Sequence, residues 1–334
     1  MLGVSLPAKH AKNTTGIFYR STWCIFYAKI YPKLELQSNL AKEAAMQYSK
    51  PVTEIIKQRS SRRSYRGQPL DADIKKQLMG FMAGNNVGPF ASSARFSLVA
   101  AKPGDSETLK GLGTYGFIRG ARGFIVGAVK HSEKSLEDYG YLMERIILFA
   151  TDLGLGTCWL GGTFNKSNFS KKIEAKEDES VPAVSPVGYI AEKRSVVERL
   201  VRWGAGSKMR NPWETLFFHE TFDAPLPVED AGAYATPLEM VRIAPSASNK
   251  QPWRIVKELG KPVFHFYLQR SKGYEKNGER FNMADLQRLD MGIAMCHFEL
   301  SAKEMGLRGR WELIPPAGLS LPERTEYIVS WLGQ

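Results

Sequence analysis

The chain is poor in the patterns that announce several common functions. It has only three cysteines, Cys24, Cys158 and Cys296, with no C-x-x-C and no metal-ligand spacing. That argues against a disulfide scaffold or a zinc ribbon and fits a reducing compartment. The five histidines are scattered, and no Ser/His/Asp set stands out, so no protein nucleophile or general acid is read from the sequence. No apolar run is long and uncharged enough to span a bilayer. No G-x-G-x-x-G follows a strand-like run. There is no zinc finger, no RNP-type aromatic motif and no long Lys/Arg block, which weighs against nucleic acid despite a net charge of +12. Most of that charge reads as a solvated basic surface, with a part left for anionic ligands. What is present is ordinary for a globular chain of 334 residues: 43% hydrophobic and 24% charged, enough for one large or two ordinary domains.

The informative feature is an imperfect internal repeat. Ala150, Gly154-Leu155 and Trp159 recur as Ala302, Gly306-Leu307 and Trp311, an offset of 152. Upstream, Pro69-Leu70 and Pro89 recur as Pro225-Leu226 and Pro245, an offset of 156. A period this long exceeds that of solenoids and implies two domain-sized copies. Two copies on one chain can mimic a homodimer, so a site shared by two subunits becomes a site shared by two halves.

The copies have not kept the same chemistry. The run Arg62-Arg63-Ser64-Tyr65-Arg66 faces Phe218-His219-Glu220-Thr221-Phe222, which has no Arg. Trp159-Leu160-Gly161-Gly162 faces Trp311-Glu312-Leu313-Ile314, with no Gly pair. Conversely, Pro245-Ser246-Ala247-Ser248-Asn249-Lys250-Gln251-Pro252-Trp253 has Asn and Gln that the first copy lacks after Pro89. An isolated Arg run is ordinarily a solvated basic turn, a Gly pair an ordinary turn, and an Asn/Gln loop a capped strand entry. Each half having lost what the other kept favours one complete site per chain, at the junction.

These motifs resemble the nitroreductase family of FMN-dependent oxidoreductases, and within it a duplicated, single-chain, thermophile-type branch. The resemblance covers residues 50 to 315. It implies an α+β nitroreductase-like fold of two tandem degenerate copies, an intramolecular pseudodimer that is monomeric. By this resemblance Arg62, Ser64 and Arg66 hold the FMN phosphate and ribityl chain, with Arg63 in the same run and Lys193-Arg194 as a second basic contact. Guanidinium forks match phosphate geometry. Leu160, Gly161 and Gly162 complete the first half's share, the glycine amides facing flavin N5 and O4, while the side chains of Trp159 and Leu160 read as packing. Pro245, Ser246, Asn249 and Gln251 come from the other half, Asn and Gln suiting the pyrimidine edge. The implied activity is transfer of electrons from NADH or NADPH through FMN to an electron-poor acceptor, nitroaromatic or quinone, in ping-pong order. The cofactor carries the chemistry and the protein positions it. The rivals are a non-catalytic flavin carrier or sensor, and a basic nucleic-acid- or membrane-associated protein that merely keeps the fold. The expected compartment is cytoplasmic.

The expected organisation is an N-terminal extension at 1–45, a first half at 46–195, a linker at 196–217 and a second half at 218–334. The extension carries aromatics from Phe18 to Tyr31 interrupted by Arg20 and Lys29. An interfacial helix is open there; the plainer expectation is a dispensable segment with Met46 as initiator. Periodicity predicts helices at 52–59, 72–83 (Asp71 as N-cap), 135–153 (ended by Gly154 or Gly156), 228–243 and 285–305. Strands are expected at 95–101, 123–129, 183–190, 253–257, 263–268 and 311–315, with one more at 326–332. Cys158 is expected as a buried apolar filler.

Overall fold

In the computed structural model the described residues are 48–105, 108–110, 112–114, 116–193, 198, 204, 206, 209–273 and 283–334. The N-terminal extension, Arg194 and most of the linker lie outside them.

The architecture is α+β. The first part of the chain runs α1 (Val52–Gln58), α2 (Ala72–Ala83), β1 (Ala94–Ala100), β2 (Gly123–Lys130), α3 (Ser135–Asp152), β3 (Leu155–Thr157), α4 (Lys166–Lys172), β4 (Glu179–Ser180) and β5 (Val184–Tyr189). The second runs β6 (Phe217–His219), β7 (Thr221–Pro225), α5 (Ala235–Arg242), β8 (Trp253–Lys257), β9 (Val263–Gln269), α6 (Leu286–Glu304), β10 (Gly309–Glu312) and β11 (Thr325–Gly333). The first sheet has the antiparallel order β1-β2-β5-β3, with β4 alongside β2. The second has the order β10-β11-β9-β8-β6-β7, parallel only between β6 and β8.

Strand β2 shows why a nearly continuous apolar run forms a central strand. Successive side chains leave opposite faces. Ile125 and Val129 enter the main core, while Phe124, Val126 and Ala128 enter a second core with Leu160, Phe164 and Phe169. Each large side chain so buried contributes about 1.5–3 kcal/mol.

The two sheets are joined by α3 and α6, whose buried faces supply the middle of the main core. The helices cross at two glycines. A Cβ on Gly140 would overlap the Leu289 carbonyl, and a Cβ on Gly292 would overlap the Glu137 carbonyl. Adding 152 converts Gly140 to Gly292 and Glu137 to Leu289, so each contact is the exchange of the other. Close backbone approach of this kind leaves room for no side chain. Beside the crossing, Glu137 and Arg288 form a two-pronged ion pair, Nε–Oε1 2.8 Å and Nη2–Oε2 2.6 Å.

Several expectations change. Gly154, at φ +77°, ends the helix that runs to Asp152. Asp71 stands at the N-cap of α2 without capping it; its carboxylate instead accepts a 2.7 Å bond from Tyr189 Oη. The helix expected over 228–243 breaks at Gly232, leaving a 3₁₀ turn, Glu229–Tyr234, before α5. The strand expected at 311–315 begins earlier, at Gly309, and is an edge; the interior neighbour is β11. Strands β6 and β7 fall where only a degenerate counterpart of the Arg run was expected, and β6 begins at Phe217, inside the expected linker. Among the described residues no helix is long and apolar enough to cross a membrane.

Candidate functional site

The Arg run is an extended segment stitched on both sides. Arg62 N donates to Thr157 O (2.7 Å), Tyr65 N to Arg119 O (2.9 Å), Arg66 N to Tyr189 O (3.0 Å) and Ala191 N to Ser64 O (3.2 Å). Tyr65 is buried against Gly188, with its hydroxyl on Arg62 O at 2.7 Å, and burial pushes its phenol pKa well up. This lock fixes which side chains face where.

At the junction of the two sheets lies a cavity of about 200 Å³. The earlier part of the chain contributes Ser61, Arg63, Trp159 and Gly161 to Thr163; the later part contributes Pro245 to Ser248 and, from α6, Leu286, Leu289, Asp290 and Ile293. Ser61 and Arg63 are two apart in an extended segment and so share a side. Arg62, Ser64 and Arg66, at the alternate register, do not line the cavity. The stem of Arg62 lies over Gly156, and the exposed Arg66 donates Nε to Ile190 O at 3.1 Å. The Arg63 guanidinium has no hydrogen-bond or ion-pair partner among the described residues.

Of the residues singled out in the sequence, the cavity thus gathers Arg63, Gly161, Gly162, Pro245 and Ser246. Leu160 is off the lining: its side chain packs in the core with Phe164 and Val184, and its backbone pairs with Val184. Lys193 is exposed and off the lining, and Arg194 lies outside the described residues. Asn249 and Gln251 are also off the lining, their amides bonded to the end of the linker. Cys158 is buried as a filler, its thiol pKa pushed up by that burial.

Two lining residues, Leu286 and Asp290, and one neighbour of the glycine pair, Met283, carry roles that the sequence did not assign. Leu286 and Met283 close over the glycine pair: a Cβ on Gly161 would run into Leu286, and one on Gly162 into Met283 Sδ. Asp290, 3% exposed, accepts Ala247 N at Oδ1 (2.9 Å), while its enclosed Oδ2 has no hydrogen bond. Burial pushes this carboxyl well above its usual range. The available signal was an acid set inside the apolar run Leu289-Asp290-Met291-Gly292-Ile293.

Under the cavity Trp159 donates Nε1 to Glu144 Oε2 at 2.6 Å. Glu144 is fully buried; its Oε1 meets His297 Nε2 at 3.0 Å, and Arg59 Nε stands 3.7 Å away. His297 Nδ1 in turn meets Met240 O at 2.9 Å. Trp159 is therefore held from below by groups of both long helices. Among the described residues no group of His, Cys, Asp and Glu could hold a metal ion.

Residues 51–302 match the family model described as "Putative TM nitroreductase". The chain belongs to this nitroreductase family. Its fold is similar to that of a "putative nitroreductase" of Thermotoga maritima, with a TM-score of 0.51 and 18% identity, covering 85% of this chain and 94% of that one. A nitroreductase with bound FMN from Desulfitobacterium hafniense aligns at a TM-score of 0.35 and 18% identity over 43% of this chain and 92% of that one. A nitroreductase family protein of Clostridium difficile aligns at a TM-score of 0.34 and 16% identity over 44% and 88%. No curated protein matches. The fold is nitroreductase-like, and the family is one of flavin oxidoreductases.

Proposed function

We propose that this chain is an FMN-dependent oxidoreductase with one flavin site, in the cavity between its halves. The observation that carries the reading is the pairing in one cavity of Arg63 with the Gly161-Gly162 turn, opposite Pro245 to Ser248. The residues fit the cofactor. An unpartnered guanidinium offers a fork to phosphate. The glycines leave a shallow cradle that a Cβ would fill, and the side chains now over it, Leu286 and Met283, are flexible at their ends. The cavity is smaller than the several hundred cubic ångströms usual for ligand sites, so these two side chains would have to turn aside to admit the ring.

Bound there, FMN would supply two-electron chemistry, taking hydride from NADH or NADPH and passing it to a nitroaromatic- or quinone-type acceptor in ping-pong order. The chain's own part is positional. Arg63 would neutralise the anionic group, and the amides of Gly161 and Gly162 would donate to the reacting edge and favour negative charge developing there. Trp159 keeps its place through Glu144, and the apolar wall of Leu286, Leu289 and Ile293 excludes water.

The split site belongs to a duplicated chain, 46–195 and 218–334 joined by 196–217, acting as a monomeric pseudodimer. The exchange of the Gly140–Leu289 and Gly292–Glu137 contacts under one offset supports this reading. So does the pair of indoles: Trp159 and Trp311, 152 apart, each donate to a glutamate of a long helix, Glu144 and Glu299. At the mirror position Phe90 lies under Lys134 Nζ, at 6.0 Å, where the site has Ser246 and Leu286.

An absorption spectrum with flavin integrated per chain tests the reading. One FMN per chain, bleached anaerobically by NADH or NADPH and restored by a quinone, is expected. Two per chain would refute the split site, flavin that never bleaches would point to a carrier or sensor, and light scattering at twice the chain mass would refute the monomer.

A further inference from the structure

Asn249 and Gln251 spend their amides on the chain's own linker. Asn249 donates Nδ2 to Gly206 O (2.9 Å) and Met209 O (3.0 Å), and its Oδ1 accepts from Arg210 Nη1 (3.3 Å). Gln251 Oε1 accepts from Asn211 N at 2.8 Å. Arg210 completes the clasp by donating Nη2 to Ile243 O at 3.0 Å. The residues that make this clasp sit on the back of a loop whose front, Ser246 to Ser248, is cavity wall. Back and front are tied directly: Gln251 N donates to Ser246 Oγ (2.8 Å) and Asn249 N to Ser246 O (3.0 Å).

The loop is held against its own preferences. Ser248, Asn249 and Gln251 have φ of +50°, +54° and +49°. Asn tolerates that region; Ser and Gln rarely adopt it, and such residues persist only where their surroundings fix them. Loop 88–92 shows what the anchoring acid can otherwise collect: Asp138 accepts both Phe90 N (2.9 Å) and Ser92 N (2.8 Å). Asp290 collects only Ala247 N, and its second oxygen goes without. The loop that bonds the linker therefore leaves Asp290 one backbone bond short of what Asp138 collects.

We infer that Gly206 and Met209 to Asn211 are a positioning element of the binding cavity: Asn249 and Gln251 grip these linker residues and, through Ser246 and Ser248, set the wall that faces the ligand. The inference rests on the flavin-site reading for its ligand but not for the clasp. Asn249 is then a positioning residue, acting on the flavin through Arg210 and the linker backbone.

Two measurements test it on the full chain. The first is the Kd of FMN, by flavin fluorescence, for wild type, Asn249→Ala, Arg210→Ala and the double variant. Loss of a hydrogen bond or two predicts about a tenfold rise for each single variant. The double variant should bind no more weakly than either single one, because both cut the same link. A direct flavin contact would instead leave Arg210→Ala at the wild-type Kd, or make the two losses multiply, and either result overturns the inference. The second is trypsin cleavage of the linker in the flavin-free protein. Asn249→Ala should cleave several-fold faster than wild type, and FMN should slow cleavage of wild type. An unchanged rate in Asn249→Ala overturns the clasp. If wild type binds no FMN, the flavin reading fails, and this second measurement still decides the clasp.

Discussion

Glu144 Oε1 and His297 Nε2 meet at 3.0 Å where the two long helices face each other, and neither side chain reaches solvent. The same carboxylate holds the indole of Trp159, so a bond inside the core fixes a wall of the cavity. Removing one partner of such a buried set leaves the others desolvated and unpaired, at a cost of about 3–5 kcal/mol. Glu144→Ala should lose that much in urea unfolding. Glu144→Gln, which keeps the shape, should lose less. Equal stability of Glu144→Ala and wild type would mean that the network contributes nothing.

Three glycine-to-alanine changes in helices should differ in sign. At Gly140 and at Gly292 the new methyl meets a carbonyl of the facing helix, and overpacking against backbone costs about 3 kcal/mol or more. At exposed Gly80, in α2, nothing lies within 4 Å of a Cβ, and Ala should stabilise by about 0.5–1 kcal/mol. Denaturant midpoints for the three single variants check both signs.

Arg63→Ala should weaken FMN by about 1.5–3 kcal/mol while leaving riboflavin nearly untouched, because a charge-assisted bond to phosphate is lost. Arg66→Ala, on the other side of the extended run and bonded to Ile190 O, should change both by less. Titration of the four pairs of protein and flavin measures this. A larger phosphate-specific loss at Arg66 would return the anchor to the alternate register.

Stability should fall on acidification from His265. Burial holds its pKa below the ordinary 6.5, with Ser330 Oγ at 2.7 Å and Glu258 Oε1 at 3.1 Å as partners. The unfolded chain then takes up this proton first. The contribution is complete above pH 6.5 and is lost as pH falls below it toward the lower folded value. Glu258 adds a loss in the same direction at more acidic pH, its own pKa held down chiefly by Lys261. The thermal midpoint of wild type should therefore drop between pH 7 and 5.5 more than that of His265→Asn.

Asp290 predicts the opposite trend. Its carboxyl is raised by burial, so the unfolded chain releases the proton first, and stability declines as pH rises above 3.8 toward the raised folded value. Asp290→Asn should melt higher than wild type at pH 7 and lose that advantage near pH 4. An unchanged difference across that range would show that the carboxyl does not titrate as its burial requires.

The long helices were legible because their apolar width and terminal glycines are local signals, and α3 and α6 end within a residue or two of expectation. The break at Gly232 was not, since the sequence on both sides continues to read as helix. Strands β6 and β7 are too short, at three and five residues, for alternation to mark them, and Phe218 to Phe222 reads as a decayed copy of the Arg run. At the site, residue types located the junction: Arg63, the Gly pair and Pro245-Ser246 do come together. Which arginine faces inward depends on a register set by Thr157, Arg119 and Tyr189, all remote in sequence. What an Asn or Gln amide binds depends on the path of the linker, and no residue type encodes that path.

The glycine crossing also sets how the molecule can breathe. With backbone resting on backbone at Gly140 and Gly292, the long helices have no side chain between them at that crossing, and spreading them there would expose the middle of the core. A ligand of the proposed site would then enter by small local rotations at Met283 and Leu286, which lie over the glycine pair. Entry and exit rates should follow the bulk and stiffness of those two side chains, while the separation of the sheets stays constant from one ligand to the next.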